Sequence, residues 1–190
     1  LHLCDRRQRQ MCIRDSNMGF SRDVYNNVGG FREMFSEDID MSTRIKNAGH
    51  SITLIREAYV YHKRRVDFKK FFRQVHVFGM SRITLKLLYP GSMKLVHWLP
   101  AIAVIGGVTL IVLALTVSPW FWLPLALYLI AVWLTALFST KSVKIATLAI
   151  PAAIIQLGGY GTGFIKAYVT KIIFGKGRDI NEEILIRKGK

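Results

Sequence analysis

The sequence predicts an α/β segment followed by a basic amphipathic helix and a set of α-helical transmembrane segments. Three observations carry this reading. The acidic run Glu37-Asp38-Ile39-Asp40 opens a helix pattern and precedes two short β-prone runs, SITLIR and AYVYH. The stretch DFKKFFRQVHVFGMSRITLKLLY sets aromatics opposite cations at helical spacing. From about Leu95 onward come apolar stretches of the length a bilayer span needs, roughly 20 residues.

Residues 1–16, LHLCDRRQRQMCIRDS, show no apolar period and no signal-peptide core. From Arg6 to Ser16 they resemble the translation of a transposase-end adapter used in DNA library preparation. This segment is therefore expected to be a disordered artefact. Setting it aside removes Cys4 and Cys12, the only cysteines, and with them disulfides and cysteine-ligated zinc. It also implies that Asn17 is not the native start, so a longer protein is expected upstream.

The charge is lopsided, with 27 Lys+Arg against 12 Asp+Glu and a formal net charge of +15. Such a balance points to an anionic partner. The apolar residues crowd into the second half, and the cations flank apolar stretches. They do not interleave with aromatics on a soluble surface. Membrane lipids are the expected partner, and nucleic acid is not.

Residues 17–66 are read as the α/β segment. Ser21 is placed to N-cap SRDVYNNV, with Asp23 in the first turn and Gly29-Gly30 closing the helix. Val24, Tyr25 and Val28 form its apolar side, and the loop FREMF follows. Ser36 is placed to cap a second helix whose first turn holds Glu37, Asp38 and Asp40, where the helix dipole favours negative charge. Met41, Ile45 and Ala48 continue on one face, and Gly49 is the stop. Asp38 precedes Met41 by three residues, at the exposed end of that stripe, where an anchored helix would present a carboxylate to a cleft. Ile52 and Leu54 alternate with polar neighbours as in a strand. Ala58 to His62 is a second strand candidate, ending in His62-Lys63-Arg64-Arg65.

Residues 67–94 are read as an interfacial amphipathic helix. Phe68, Phe71, Phe72, Val75, Phe78 and Gly79 fall on one face, and Lys69, Lys70, Arg73 and His76 on the other. The pattern weakens after Arg82, and Pro90-Gly91 ends it. Residues 95–174 hold two or three spans, at about 96–117, 119–138 and 145–170. Ser118-Pro119 makes a tight turn between the first two. Trp98, Trp120, Trp122 and Trp133 supply candidate interfacial anchors. The third stretch contains Pro151 and the run from Gly158 to Gly163, and two readings stay open: it crosses, or it turns back as a re-entrant segment. The glycine run lacks the strand-to-helix context and the lysine of a phosphate loop, so it reads as helix packing or a bend. Residues 175–190 form a charged tail.

The stretch from Asn17 to about Tyr89 resembles the C-terminal portion of the catalytic domain of membrane-bound family-2 glycosyltransferases with the GT-A fold. The resemblance rests on NMGFSRDVYNNVGGF, on the spaced pattern Glu37, Asp38, Asp40, Met41, Arg44 and Gly49, and on the run ending Val60-Tyr61-His62. It implies an inverting transfer of sugar from a nucleotide-sugar donor to a lipid-linked or cell-envelope glycan acceptor. In the family the second residue of the Glu-Asp pair is the catalytic base, which here is Asp38. Glu37 is catalytic beside it, and Asp40 and Arg44 bind acceptor, orient the base, or pair with each other at i,i+4. The plainer reading, acids that only complement the helix dipole, stands beside this one.

The resemblance further implies a divalent metal, Mg or Mn, whose main ligands belong to an Asp-x-Asp motif expected upstream. His62 aligns with a C-terminal histidine that adds a metal ligand in many such enzymes, and it could equally be a polar strand end. Arg64 and Arg65 are placed to contact the diphosphate or to form a basic membrane-facing cluster. Processive relatives carry Q-x-x-R-W where this chain has RQVHVFG, which favours single transfer. The expected location is the cytoplasmic (inner) membrane, multi-pass, with the catalytic part cytoplasmic. Without the donor-binding half the chain is expected to be inactive alone. The rival reading is a non-catalytic membrane anchor or transporter-associated protein with a small cytoplasmic domain.

Overall fold

Ser21 and Gly29 bound the first helix among the described residues. The computed structural model describes residues 18–55 and 67–175. These fall into two units, the first holding residues 18–55 and the second residues 67–175.

In the first unit, α1 spans Arg22–Val28 and α2 spans Glu37–Asn47. The Ser21 side chain accepts a hydrogen bond from Val24 N–H at 3.3 Å, satisfying one of the donors left open at a helix start. Gly29, at φ 75, ends the helix in a conformation that costs glycine nothing. At the end of α2, Gly49 has φ +83. There His50 N–H donates to Ile45 O (3.1 Å) and Gly49 N–H to Lys46 O (3.0 Å). Those two bonds are a Schellman motif, which satisfies the last carbonyls of the helix. Met41 and Ile45 are buried and anchor α2, whereas Ala48 is exposed.

The expected α/β architecture is not what the structure shows. Among the described residues there is no strand. Residues 51–55, the first strand candidate, form no regular structure, and Ile52, Leu54 and Ile55 are all exposed. A strand is stable only with a neighbour that takes up its backbone groups and covers one face. No described residue plays that part. The second candidate, Ala58 to His62, lies outside the described residues. An α/β fragment of the GT-A type is therefore overturned in favour of helices throughout the described chain.

The second unit is built on four long helices. These are α3 (Phe68–Leu88), α4 (Leu99–Thr116), α5 (Leu123–Thr140) and α6 (Val143–Tyr168). Short 3₁₀ turns at Pro90–Ser92, Leu95–His97 and Pro119–Trp122 connect them, and a π-helical turn, Val169–Ile173, extends α6. Asp67 caps α3 by accepting from Lys69 N–H at 2.8 Å. Three segments are long and apolar enough to cross a membrane: Leu99–Thr116, Pro119–Thr140 and Val143–Ile173. The third has 31 residues and is helical throughout, through Pro151 and the glycines. At 1.5 Å per residue it is about 46 Å long, well beyond a hydrocarbon core of about 30 Å.

Helices α3, α4 and α5 all pack on α6. The glycines of α6 explain how. Residues two apart on a helix point about 200° apart, so Gly159 and Gly163 share one face while Gly161 takes nearly the opposite one. A Cβ on Gly163 would strike the His76 carbonyl, and one on Gly159 the Val75 side chain, both on α3. A Cβ on Gly161 would strike the Pro100 carbonyl of α4. Gly79 of α3 completes the seam, since a Cβ there would overlap the Tyr160 carbonyl. Small residues at this spacing let backbones approach where lipid supplies no hydrophobic drive. The paired positions rise together, from Val75 with Gly159 to Thr84 with Lys171, so α3 and α6 run parallel. Ile83, Ala101, Phe164 and Ala167 form the buried core of this unit. Trp98 sits edge-on to Phe164 and Tyr168, with ring centroids 5.0 and 5.4 Å apart.

Candidate functional site

The acidic run begins directly after a strained turn. Ser36 has φ 66, in the left-handed region that non-glycine residues seldom occupy. That turn aims the Ser36 carbonyl along the new helix, where it accepts from Ile39 N–H (3.1 Å) and Asp40 N–H (3.0 Å). Ser36 therefore starts α2 through its backbone.

The three acids then part company. Asp40 is fully buried, at 0% exposure. Arg44 Nε donates to its Oδ2 at 2.9 Å, and Arg32 Nη1 to its Oδ1 at 3.3 Å. The far side of the Arg44 guanidinium reaches the end of α1. Its Nη2 donates to Gly30 O at 2.7 Å, and its Nη1 to Val28 O. One carboxylate and two guanidiniums thus tie α2 to the loop that closes α1. Both Asp40 oxygens are engaged by cations, so of the roles expected for Asp40 and Arg44 the geometry displays mutual pairing. A second tie runs from α1 to the end of α2, where Asn27 Nδ2 lies 3.1 Å from His50 Nε2.

Glu37 and Asp38 share the first turn of α2 with Asp40 and are half-buried. Ser42 Oγ donates to the Asp38 carbonyl at 2.7 Å, fastening the backbone beneath its carboxylate. Asp38 is thus held on the first turn of a helix anchored by the Asp40 ion pairs in that turn and by Met41 and Ile45 beyond it. The helix N-terminus stabilises negative charge at this position. A carboxylate so placed can accept a proton from a hydroxyl brought to it.

His62, Arg64 and Arg65 lie outside the described residues. Among the described residues no group of three His, Cys, Asp or Glu side chains gathers as a metal site. Sequence reasoning missed Arg32. It lies eight residues before its partner, in a stretch read only as a loop, and no local spacing rule reaches that far. It also missed the aromatic group on α1, where Phe20 stacks on Tyr25 and tilts against Phe31 at centroid distances of 6.2 and 6.1 Å. The run of Phe20, Tyr25 and Phe31 was the available signal.

The three membrane-length helices among the described residues support membrane association. The profile of glycosyl transferase family group 2 matches residues 4–158, most of the chain, and the chain belongs to that family. The matched span opens inside the segment read as adapter-derived. No curated protein and no solved structure gives a match. Membership makes the protein a transferase acting in glycosyl transfer, with a sugar donor and an acceptor as its substrates.

Proposed function

We propose that the chain serves an inverting transfer of sugar from a nucleotide-sugar to a lipid-linked or cell-envelope glycan acceptor, at the cytoplasmic face of the cell's inner membrane. Asp38 is the base. It takes the proton of the acceptor hydroxyl as that oxygen bonds to the anomeric carbon. The bond from that carbon to the diphosphate breaks, and the nucleoside diphosphate departs with the electron pair. Attack opposite the leaving group inverts the centre.

The observation that supports this reading is the division of labour on α2. Asp40 is fully buried between two guanidiniums, while Asp38 and Glu37, on the same first turn, are half-buried. Glu37 assists at the same edge, and Asp40 with Arg44 holds the helix. Diphosphate contact by Arg64 and Arg65, a metal contact by His62, and the Mg or Mn requirement itself are carried by the family resemblance alone. The described residues supply no ligand set for that metal, and no step above runs through one.

Donor binding is proposed to need an upstream segment, so transfer is assayed in the reading frame extended upstream and expressed in membranes. Asp38→Asn should lower turnover by about 10²–10⁴-fold, the usual worth of a positioned base, while the protein still inserts and folds. Near-normal turnover by this variant would remove Asp38 from the role. An upstream frame lacking a nucleotide-binding segment would favour the membrane-anchor reading.

A further inference from the structure

From Phe68 through Gly175 the sequence contains 10 Lys+Arg and no Asp or Glu. No carboxylate within the described second unit after Asp67 can neutralise its cations. These cations are of two kinds. Lys69, Lys70 and Arg73, on the first turns of α3, are exposed. Arg82 and Lys86, one turn apart further along the same helix, are half-buried and held in place. Lys86 Nζ stands 5.8 Å from the Trp98 ring centroid and 5.9 Å from that of Tyr168. Arg82 lies beside the Tyr160 phenol.

Lys94, itself exposed, approaches this pair from the turn that leads into α4, where its N–H donates to His97 Nδ1 at 3.0 Å. His97, between Lys94 and Trp98, reports the combined field. Burial, then Arg82, then Lys94, hold its imidazole below the ordinary value. The side chains next to these cations are apolar and uncovered: Leu95 is 89% exposed, Leu99 58% and Val96 57%. A free inorganic anion would use the cations and leave that apolar rim in water. A lipid with a phosphate head satisfies both, since its head meets the half-buried Arg82 and Lys86 and the exposed Lys94 and its chains cover the rim.

We propose that Arg82, Lys86 and Lys94 form a binding site for the phosphate of a membrane lipid, whose chains lie over Leu95, Val96 and Leu99 at the start of the first span. The aromatic floor of Trp98 and Tyr168 holds the Lys86 stem, so this cation is ordered before the lipid arrives. Lipid retention is read without turnover, so this site can fail while the glycosyl-transfer reading stands, although a polyprenyl phosphate held here would be a lipid of the acceptor's class.

The test is retention of lipid by the full chain in detergent, read by native mass spectrometry. The chain is offered phosphatidylglycerol, phosphatidylcholine, a polyprenyl phosphate or inorganic phosphate. Retention of phosphatidylglycerol or polyprenyl phosphate above phosphatidylcholine is expected, since choline neutralises the phosphate of the last. The better-retained anionic lipid identifies the source. Arg82→Gln with Lys86→Gln should reduce retention by about fivefold per cation lost, and Lys69→Gln with Lys70→Gln should not change it. Lys86→Arg should keep the lipid where Lys86→Met loses it, which decides the matter should the double variant lose helicity. Equal losses from both double variants would reduce the effect to general surface charge and overturn the site. So would the absence of any preference over phosphatidylcholine. Displacement of the lipid by inorganic phosphate would overturn the lipid assignment.

Discussion

The two units of this chain solve the same problem, holding helices together, by opposite means. In the first unit the tie is charge: Asp40, buried at 0% exposure, is gripped by Arg32 and Arg44, and Arg44 reaches on to the carbonyls that end α1. In the second unit acids are absent after Asp67, and the tie is contact between backbones at Gly79, Gly159, Gly161 and Gly163. A short helix pair in water has little apolar surface to bury, so one fully paired ion cluster fixes its geometry. Helices in an apolar solvent gain nothing from burying leucine against leucine, so close fit decides. Each device is brittle in its own way, which makes the contrast testable.

The largest stability effect is expected at Asp40. Asp40→Asn leaves the Arg44 guanidinium, 11% exposed, facing a neutral amide. Breaking one partner of a buried pair costs about 3–5 kcal/mol. Urea titration followed by near-UV signals from Tyr25 should show the first unit melting early, with far-UV helicity of the second unit in detergent unchanged. Simultaneous loss of both would end the contrast between charge-tied and contact-tied units.

The seam comes next. Gly163→Val drives a branched side chain into the His76 carbonyl. Overpacking typically costs about 1–3 kcal/mol, and backbone offers less give than a side chain. Gly158→Ala is the control, because nothing lies within 4 Å of a Cβ there, and it should be neutral or mildly stabilising. Thermal unfolding in detergent separates the two. Equal effects would mean that the glycines act through flexibility and not through fit. Ser21→Ala should cost about 1 kcal/mol by removing the side-chain cap on Val24 N–H. Its readout is the same near-UV transition as for Asp40.

Local devices were the legible part of the sequence. Ser21 and Gly29 around α1, Gly49 at the end of α2, and apolar stretches interrupted at Ser118-Pro119 are each written within a few residues of where they act. What was not legible depends on distant partners. Arg32 gave no sign of being a ligand to Asp40, because the pairing follows from how a loop folds back. Ser36 looked like a side-chain cap, and its left-handed backbone follows from the turn before it. In α3 the apolar pattern was read as fading after Arg82, yet Ile83 and Leu85 are buried and Phe68 and Phe72 exposed. Periodicity reports one apolar face, and which residues of this helix are buried is decided by its packing on α6. The strand over SITLIR failed for the same kind of reason, since alternation cannot supply the neighbour a strand needs.

The smallest expected effect probes the charge balance of the second unit, which carries no acid after Asp67, at His97. Its Nδ1 accepts the Lys94 N–H at 3.0 Å, which requires that nitrogen to be unprotonated. Burial, Arg82 and Lys94 all oppose a positive charge there and lower its pKa in the folded chain. Because the folded value is the lower one, the unfolded chain binds more protons in the interval between the two. Stability therefore rises with pH across that interval. The contribution is fully present above the ordinary imidazole value of about 6.5 and is lost as pH falls through the lowered one. Melting temperature in detergent should thus drop on acidification over that range. His97→Gln, which keeps an acceptor that cannot titrate, should flatten the drop without lowering the neutral-pH value by more than a small amount. An identical pH profile in the variant would show that acid acts elsewhere in the chain. A profile steepened by the variant would reverse the sign, and with it the claim that cations without acid partners set the electrostatics of this unit.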